Sequence, residues 1–314
     1  MIISSAIAAF VPMFIYLLVI WKLDQYDREP FSLVLWNYLW GALGAIFFAL
    51  VGSSVLSFFV SIFVHDHESL KHIETILIAP LVEETTKGLF LFIIIKSRKF
   101  DNMTDGIVYG GAIGLGFGMT ENFLYFIANA GSLNVWITLV IIRTLFTAVM
   151  HCVSTATLGA FLGYAKFKGL FVKLTFPFIG LGTAMFMHFA WNLMISFEKT
   201  ELLGFVFMIV TILIFIVVFS ISVSNDKKII YNELLEEAEN GVIPTGHLDI
   251  LNSPKRNNFG WIDERIRKIY IQTATTLAFR KMQLKNTKGY NRVNYENDVN
   301  YYRNYLQSLL QGTK

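Results

Sequence analysis

Between Ile2 and Val223 the chain runs in long apolar stretches separated by short polar breaks; beyond Val223 apolar and charged positions alternate. A helix needs roughly 20 mostly apolar residues to cross a bilayer. Seven stretches reach that length, at about 2–21, 33–63, 76–95, 105–128, 135–165, 174–197 and 202–223. They predict an all-α polytopic membrane bundle of about seven spans over residues 1–224, followed by a helical tail over 225–314. The second stretch is too long to stand upright, so it must tilt or bend, with Gly41, Gly44 and Gly52 as the bending points. In the tail, apolar residues recur at helical spacing from Ile229 to Glu239 and from Trp261 to Leu284, and Tyr301 to Leu310 makes a third candidate helix. Pro244, Gly246, Pro254 and Gly260 separate the first two. The tail holds no catalytic motif, and its amphipathic pattern predicts a membrane-surface or partner-binding segment.

Composition supports this division. Hydrophobic residues make up 54% of the chain and charged residues 16%, well below the roughly 25% charged typical of soluble domains. Of the 26 Lys and Arg, 14 lie after residue 224. The net charge of +3 is thus concentrated in the tail, which is expected to reflect attraction to anionic headgroups or plain solvation, with no nucleic-acid partner. A single cysteine, Cys152, excludes an intrachain disulfide and a cysteine-based zinc site, and its apolar surroundings predict a buried, inert thiol. The first stretch lacks a basic leader and a clear cleavage site, so it is expected to be a retained span.

Loop charge predicts the orientation. Lys22 and Arg28, then Lys96, Arg98 and Lys99, then Lys166, Lys168 and Lys173, then Lys227 and Lys228 fall in every second loop, and the others are nearly free of basic residues. By the positive-inside rule the N-terminus is outside and the tail cytoplasmic.

Inside the spans lie ionisable residues, which cost about 2.5–3.5 kcal/mol each on insertion scales and are functional candidates by default. The third span carries Glu83, Glu84 and Lys87, the fourth Glu121 and Asn122, the fifth Arg143 and His151, and the sixth His188 and Asn192. Lys87 is four residues after Glu83 and three after Glu84, so it can reach either carboxylate. Adjacent glutamates diverge by about 100° around a helix, so one can face the bundle while the other anchors it. Counting residues from the outer helix ends at 1.5 Å each puts Glu83, Glu121 and His188 at one level, roughly 10–14 Å below the outer surface, and His151 roughly 10 Å deeper. Three costly groups at one depth point to acid–base chemistry on the extracytoplasmic side. Arg143 is expected to be a counter-ion or an interface anchor. Gly110, Gly114 and Gly118 form overlapping GxxxG steps that would press the fourth span, with Glu121, against a neighbour.

Four motifs now line up in order: Asp24-Gln-Tyr-Asp-Arg-Glu-Pro30 after the first span, Glu83-Glu-Thr-Thr-Lys87, Phe117-Gly-Met-Thr-Glu121-Asn122, and His188-Phe-Ala-Trp-Asn192. In this order, each in its expected span, they resemble the PrsW family of bacterial intramembrane proteases, relatives of the CAAX prenyl endopeptidases, over about residues 20–200. The resemblance implies peptide-bond hydrolysis in the bacterial cell membrane, with a membrane-anchored, single-span anti-sigma factor as substrate, cut near the extracytoplasmic side. It implies Glu83 or Glu84 as general base on water, His188 and Asn192 as oxyanion donors, Glu121 as a further catalytic group, and Lys87 and His151 in support. Family members are described both with and without metal. No obligatory cofactor is expected here; zinc is possible, with Glu84, Glu121 and His188 as candidate ligands.

Other intramembrane protease chemistries lack their signatures: there is no HExxH, no GxSxG and no GxGD within a span. An ion-coupled transporter would also use intramembrane Glu, His and Lys, but the chain shows no internal repeat. A non-catalytic scaffold acting through the tail is the third reading.

Overall fold

The computed structural model describes residues 1–312, apart from the side chains at 290 and 291. The described residues form helices and no strand. They are α1 (Ile2–Leu23), α2 (Phe31–Ser61), α3 (67–94), α4 (Met103–Ala128), α5 (Leu133–Ala165), α6 (Leu170–Ile195), α7 (Glu201–Glu239), α8 (Thr245–Leu251), α9 (Glu264–Asn286) and α10 (Tyr290–Gln311). Of these, α1, α2, α5, α6 and α7 are long and apolar enough to cross a membrane. The other two predicted spans, α3 and α4, fall short of that measure. Glu83, Glu84 and Lys87 dilute the first and glycines dilute the second, yet both pack within the same helical bundle.

The chain divides into two compact units, residues 1–24 with 29–219 and residues 25–28 with 220–314. The predicted boundary near residue 225 thus moves slightly, and the loop after α1 joins the second unit. The last span and the first tail helix are one continuous helix, α7, because no Gly or Pro interrupts residues 205–239.

The tail is a folded unit. Ile230 and Leu234 of α7, Tyr270, Leu277 and Phe279 of α9, and Val299 and Leu306 of α10 form a buried core. The apolar stripes face one another and form an internal core. Glu237 is fully buried and accepts from Lys281 Nζ at 2.7 Å and from both Arg303 Nε at 2.8 Å and Nη2 at 2.7 Å, tying α7 to α9 and α10.

In the first unit, α4 lies between α5 and α2, and glycines allow the approach. A Cβ on Gly106 would meet the Gly159 carbonyl oxygen at 2.0 Å, one on Gly110 that of Thr155 at 2.4 Å, and one on Gly114 that of His151 at 2.1 Å. The steps of four on α4 match steps of four on the antiparallel α5, a register that Gly110, Gly114 and Gly118 anticipated and that Gly106 and Gly159 extend. On the other face a Cβ on Gly116 would strike the Tyr38 carbonyl at 2.0 Å. Substituting Gly114→Ala is expected to push α5 away, cost about 1–3 kcal/mol and cut activity, since the displaced backbone is that of His151. Gly182→Ala, with nothing within 4 Å, should leave thermal unfolding and activity as they were.

Three long helices contain one π-helical turn each: Trp40–Ala45 in α2, Glu74–Ile78 in α3 and Arg143–Thr147 in α5. The first contains Gly41 and Gly44, two of the expected bending points. A widened turn breaks the regular bonding ladder and re-aims the side chains that follow, and such turns recur at functional sites.

The Asp24–Pro30 motif places Glu29 against α4. Glu29 is buried and accepts a hydrogen bond from the Tyr109 hydroxyl, and Asp105 accepts from the Asp101 and Asn102 backbone amides at the capped start of α4. Burial, reinforced by Asp101 and Asp24, pushes the Glu29 carboxyl up from 4.5 to about 8. A raised carboxyl is protonated when folded, so its stability contribution is complete below pH 4.5 and is lost as pH rises towards 8. Glu29→Gln is therefore expected to flatten the fall of the thermal midpoint across that window, and to raise the midpoint at its alkaline end.

Candidate active site

The predicted residues meet in one cluster, built on α3, α4, α5 and α6. Glu84 is fully buried on the inner face of α3, and Glu83, about 100° around, keeps 14% of its side chain exposed. Lys87, also fully buried, bonds Glu84 Oε1 at 2.8 Å and reaches Glu83 Oε2 only at 3.5 Å. The ammonium also lies 4.0 Å from the centre of the Phe117 ring, a cation–π contact.

Hydrogen-bond chemistry fixes the two imidazoles. Lysine can only donate, so the 2.8 Å contact between Lys87 Nζ and His151 Nδ1 makes Nδ1 the acceptor. His151 Nε2–H then donates to Glu121 Oε2 at 2.6 Å. Glu121 is also paired with Arg143 Nη2 at 2.9 Å, and Arg143 Nε donates to Asn122 Oδ1 at 3.0 Å. Arg143 is therefore a counter-ion, one of the two roles the sequence predicted. His188 presents Nδ1 to Glu84 Oε1 at 3.0 Å and stands edge-on to His151, ring centres 4.9 Å apart. With Nδ1 committed to Glu84, Nε2 of His188 is the nitrogen left for a ligand.

His151 was expected roughly 10 Å below the others, and the structure corrects this. It sits in their midst, bridging Lys87 and Glu121. The residue count failed because α5 has 33 residues. That is far more than the roughly 20 that cross a bilayer, so the start of α5 does not mark the membrane surface. Asn192, one turn after His188, donates Nδ2–H to the Thr75 carbonyl oxygen at 2.9 Å, in the π-helical turn of α3. It clamps α6 to α3. The sequence reading missed Thr155, whose hydroxyl donates to Glu84 Oε2 at 3.3 Å. The available signal was its place four residues after His151, on the same face of α5.

The two glutamates consequently differ. Both oxygens of Glu84 are engaged, Oε1 by Lys87 and His188 and Oε2 by Thr155. Glu83 has one long contact, to Lys87, and is partly open. An oxygen of Glu83 and one nitrogen each of His151 and His188 lie within 4.8 Å of one another.

The first unit also holds an apolar cavity of about 600 Å³ bounded by α4, α5, α6 and α7. Its lining includes Val153, Thr157, Met187 and Phe215.

Comparison with known proteins gives this arrangement its family. The sequence profile described as PrsW family intramembrane metalloprotease matches residues 29–221. The chain belongs to the PrsW family. It is thereby an intramembrane protease, located in a membrane. The PrsW match takes in α2 to α6 and ends at the start of the second unit. Similar proteins include the protease PrsW of Clostridioides difficile, 28% identical over 211 residues, 64% of this chain and 84% of the relative. The protease PrsW of Geobacillus kaustophilus is 31% identical over 145 residues, 46% of this chain and 59% of the relative. That of Bacillus subtilis is 27% identical over 182 residues, 55% of this chain and 74% of the relative. No solved structure matches.

The PrsW description implies a metal. Glu83, His151 and His188 are zinc-competent residues at suitable separations. Their hydrogen bonds fit less well: Lys87 and Glu121 occupy both ring nitrogens of His151. Within that group only Glu83 and His188 keep open donor atoms, and catalytic zinc sites use three protein ligands; Oε1 of Glu121 is also open, but Glu121 falls outside the group. Of the candidate ligands Glu84, Glu121 and His188, the two glutamates are held by cations and hydrogen bonds. As arranged, the donor set does not suit a metal.

Proposed function

We propose that this protein cleaves a single-span membrane protein with Glu83 as general base on water, Glu84 holding the cluster, and no obligatory metal. The observation that carries the reading is the asymmetry of the pair, one carboxylate with both oxygens engaged and the other open beside His188.

The step follows from the positions. Glu83 takes a proton from a water, the hydroxide adds to the scissile carbonyl, and the same carboxyl returns the proton to the leaving amine. His188 can donate Nε2–H to the oxyanion only when both of its nitrogens carry protons, with Nδ1–H held by Glu84. Lys87 supplies fixed positive charge beside that developing negative charge, and Glu121 with Arg143 sets the ring plane of His151. Asn192 acts by holding α6 and its His188 against α3.

Alternation of loop charge supports a cleavage site nearer the extracytoplasmic side, with the N-terminus outside and the second unit in the cytoplasm. Cleavage there of a membrane-anchored anti-sigma factor is the substrate class we infer. The test reconstitutes the purified protein with a single-span anti-sigma factor and maps the new terminus by mass spectrometry. A cut in the extracytoplasmic half of the span, undiminished by chelators and with substoichiometric metal in the preparation, is expected. A cut in the opposite half would overturn the orientation. Loss of activity with EDTA, restored by zinc, would overturn the metal-free reading.

A further inference from the structure

Where the apolar part of α7 ends, the helix continues through Ser224, Lys227, Lys228, Tyr231 and Asn232. With Asn252, just past α8, these residues line a cavity of about 370 Å³ within the second unit. The lining contains cationic and neutral hydrogen-bonding side chains and no carboxylate. Asp226, between these residues in sequence, is buried and does not line it. Neither lysine forms an ion pair among the described residues, in contrast to Lys281 and Lys285 of the same unit, which are paired with Glu236, Glu237 and Glu233. The Asn252 carboxamide oxygen is buried without a hydrogen-bond partner.

We propose that this cavity binds a phosphate group that carries a neighbouring hydroxyl, as presented by the headgroup of an anionic phospholipid. The two ammonium groups supply positive charge without an internal anion to compete. Ser224, Tyr231 and Asn232 can donate to phosphate oxygens, and the unsatisfied Asn252 oxygen can accept from the ligand's hydroxyl. Lysines in the first polar turns after an apolar span lie at the level where anionic headgroups are found. The volume falls in the range of small-molecule sites. The site is separate from the glutamate–histidine cluster and does not rest on the protease reading.

Native mass spectrometry of the full-length protein in detergent, titrated with phosphatidylglycerol, phosphatidylcholine or inorganic phosphate, tests this. Phosphatidylglycerol is expected to bind preferentially, and the double variant Lys227→Gln/Lys228→Gln to weaken it about thirtyfold, on roughly tenfold per 1.4 kcal/mol and about 1 kcal/mol per lysine. Removing the same charge elsewhere in the unit, with Lys255→Gln/Lys268→Gln, should leave binding unchanged. Asn252→Leu, which keeps both charges, should weaken phosphatidylglycerol but not a headgroup without hydroxyls. Inorganic phosphate displacing the lipid at equal concentration would support the phosphate site and overturn the lipid as its source. Equal retention of phosphatidylglycerol by the wild type and Lys227→Gln/Lys228→Gln would overturn the site itself.

Discussion

Glu83→Gln is expected to lower the cleavage rate by about 10²–10⁴-fold, the usual contribution of a positioned general base, while leaving the thermal midpoint of the purified protein near that of the wild type. Glu83 makes one 3.5 Å contact and is partly exposed, so the neutral isostere removes little that holds the bundle together. Glu84→Gln should behave differently. It withdraws the negative charge from a fully buried Lys87, weakens the bond to His188, and should lower stability as well as activity. Measuring rate and midpoint together for both variants separates the roles. A stable, inactive Glu84→Gln beside an unstable Glu83→Gln would reverse the assignment.

The second large effect belongs to Lys87. Its ammonium is enclosed by Glu84, Glu83, His151 and the Phe117 ring. Lys87→Met leaves the buried Glu84 without its counter-charge, and breaking such a pair from one side costs about 3–5 kcal/mol. Replacing both partners by neutral groups leaves no uncompensated charge. The double variant Lys87→Met/Glu84→Gln is therefore expected to recover most of the lost stability and none of the activity. Recovery of activity with stability would reduce Lys87 and Glu84 to packing, with no part in aligning His188.

The helical bundle was legible because the cost of exposed backbone polar groups in lipid restricts spans to a few forms. The site was legible because ionisable residues inside apolar helices are rare, and Glu83, Glu84, Glu121 and His188 stand out for that reason. What sequence spacing did not show depended on tertiary placement. The depth of His151 required knowing which part of the over-long stretch 135–165 crosses the bilayer, which its length alone did not say. The distinct roles of Glu83 and Glu84 depended on Thr155 and His188 reaching one carboxylate and not the other. Thr155 carries no charge, so nothing in an apolar stretch marks it. In the tail, periodicity showed that each helix has an apolar face, but not that the faces meet in one core.

The proposed reaction is hydrolysis of peptide bonds within a membrane through Glu83. The direct measurement compares membrane-protein fragments from cells carrying wild-type protein with those from cells carrying Glu83→Gln at equal abundance. The account predicts fragments ending inside a transmembrane segment of at least one single-span protein in the wild type, and their absence in the variant. The same fragments at the same level in both would contradict it.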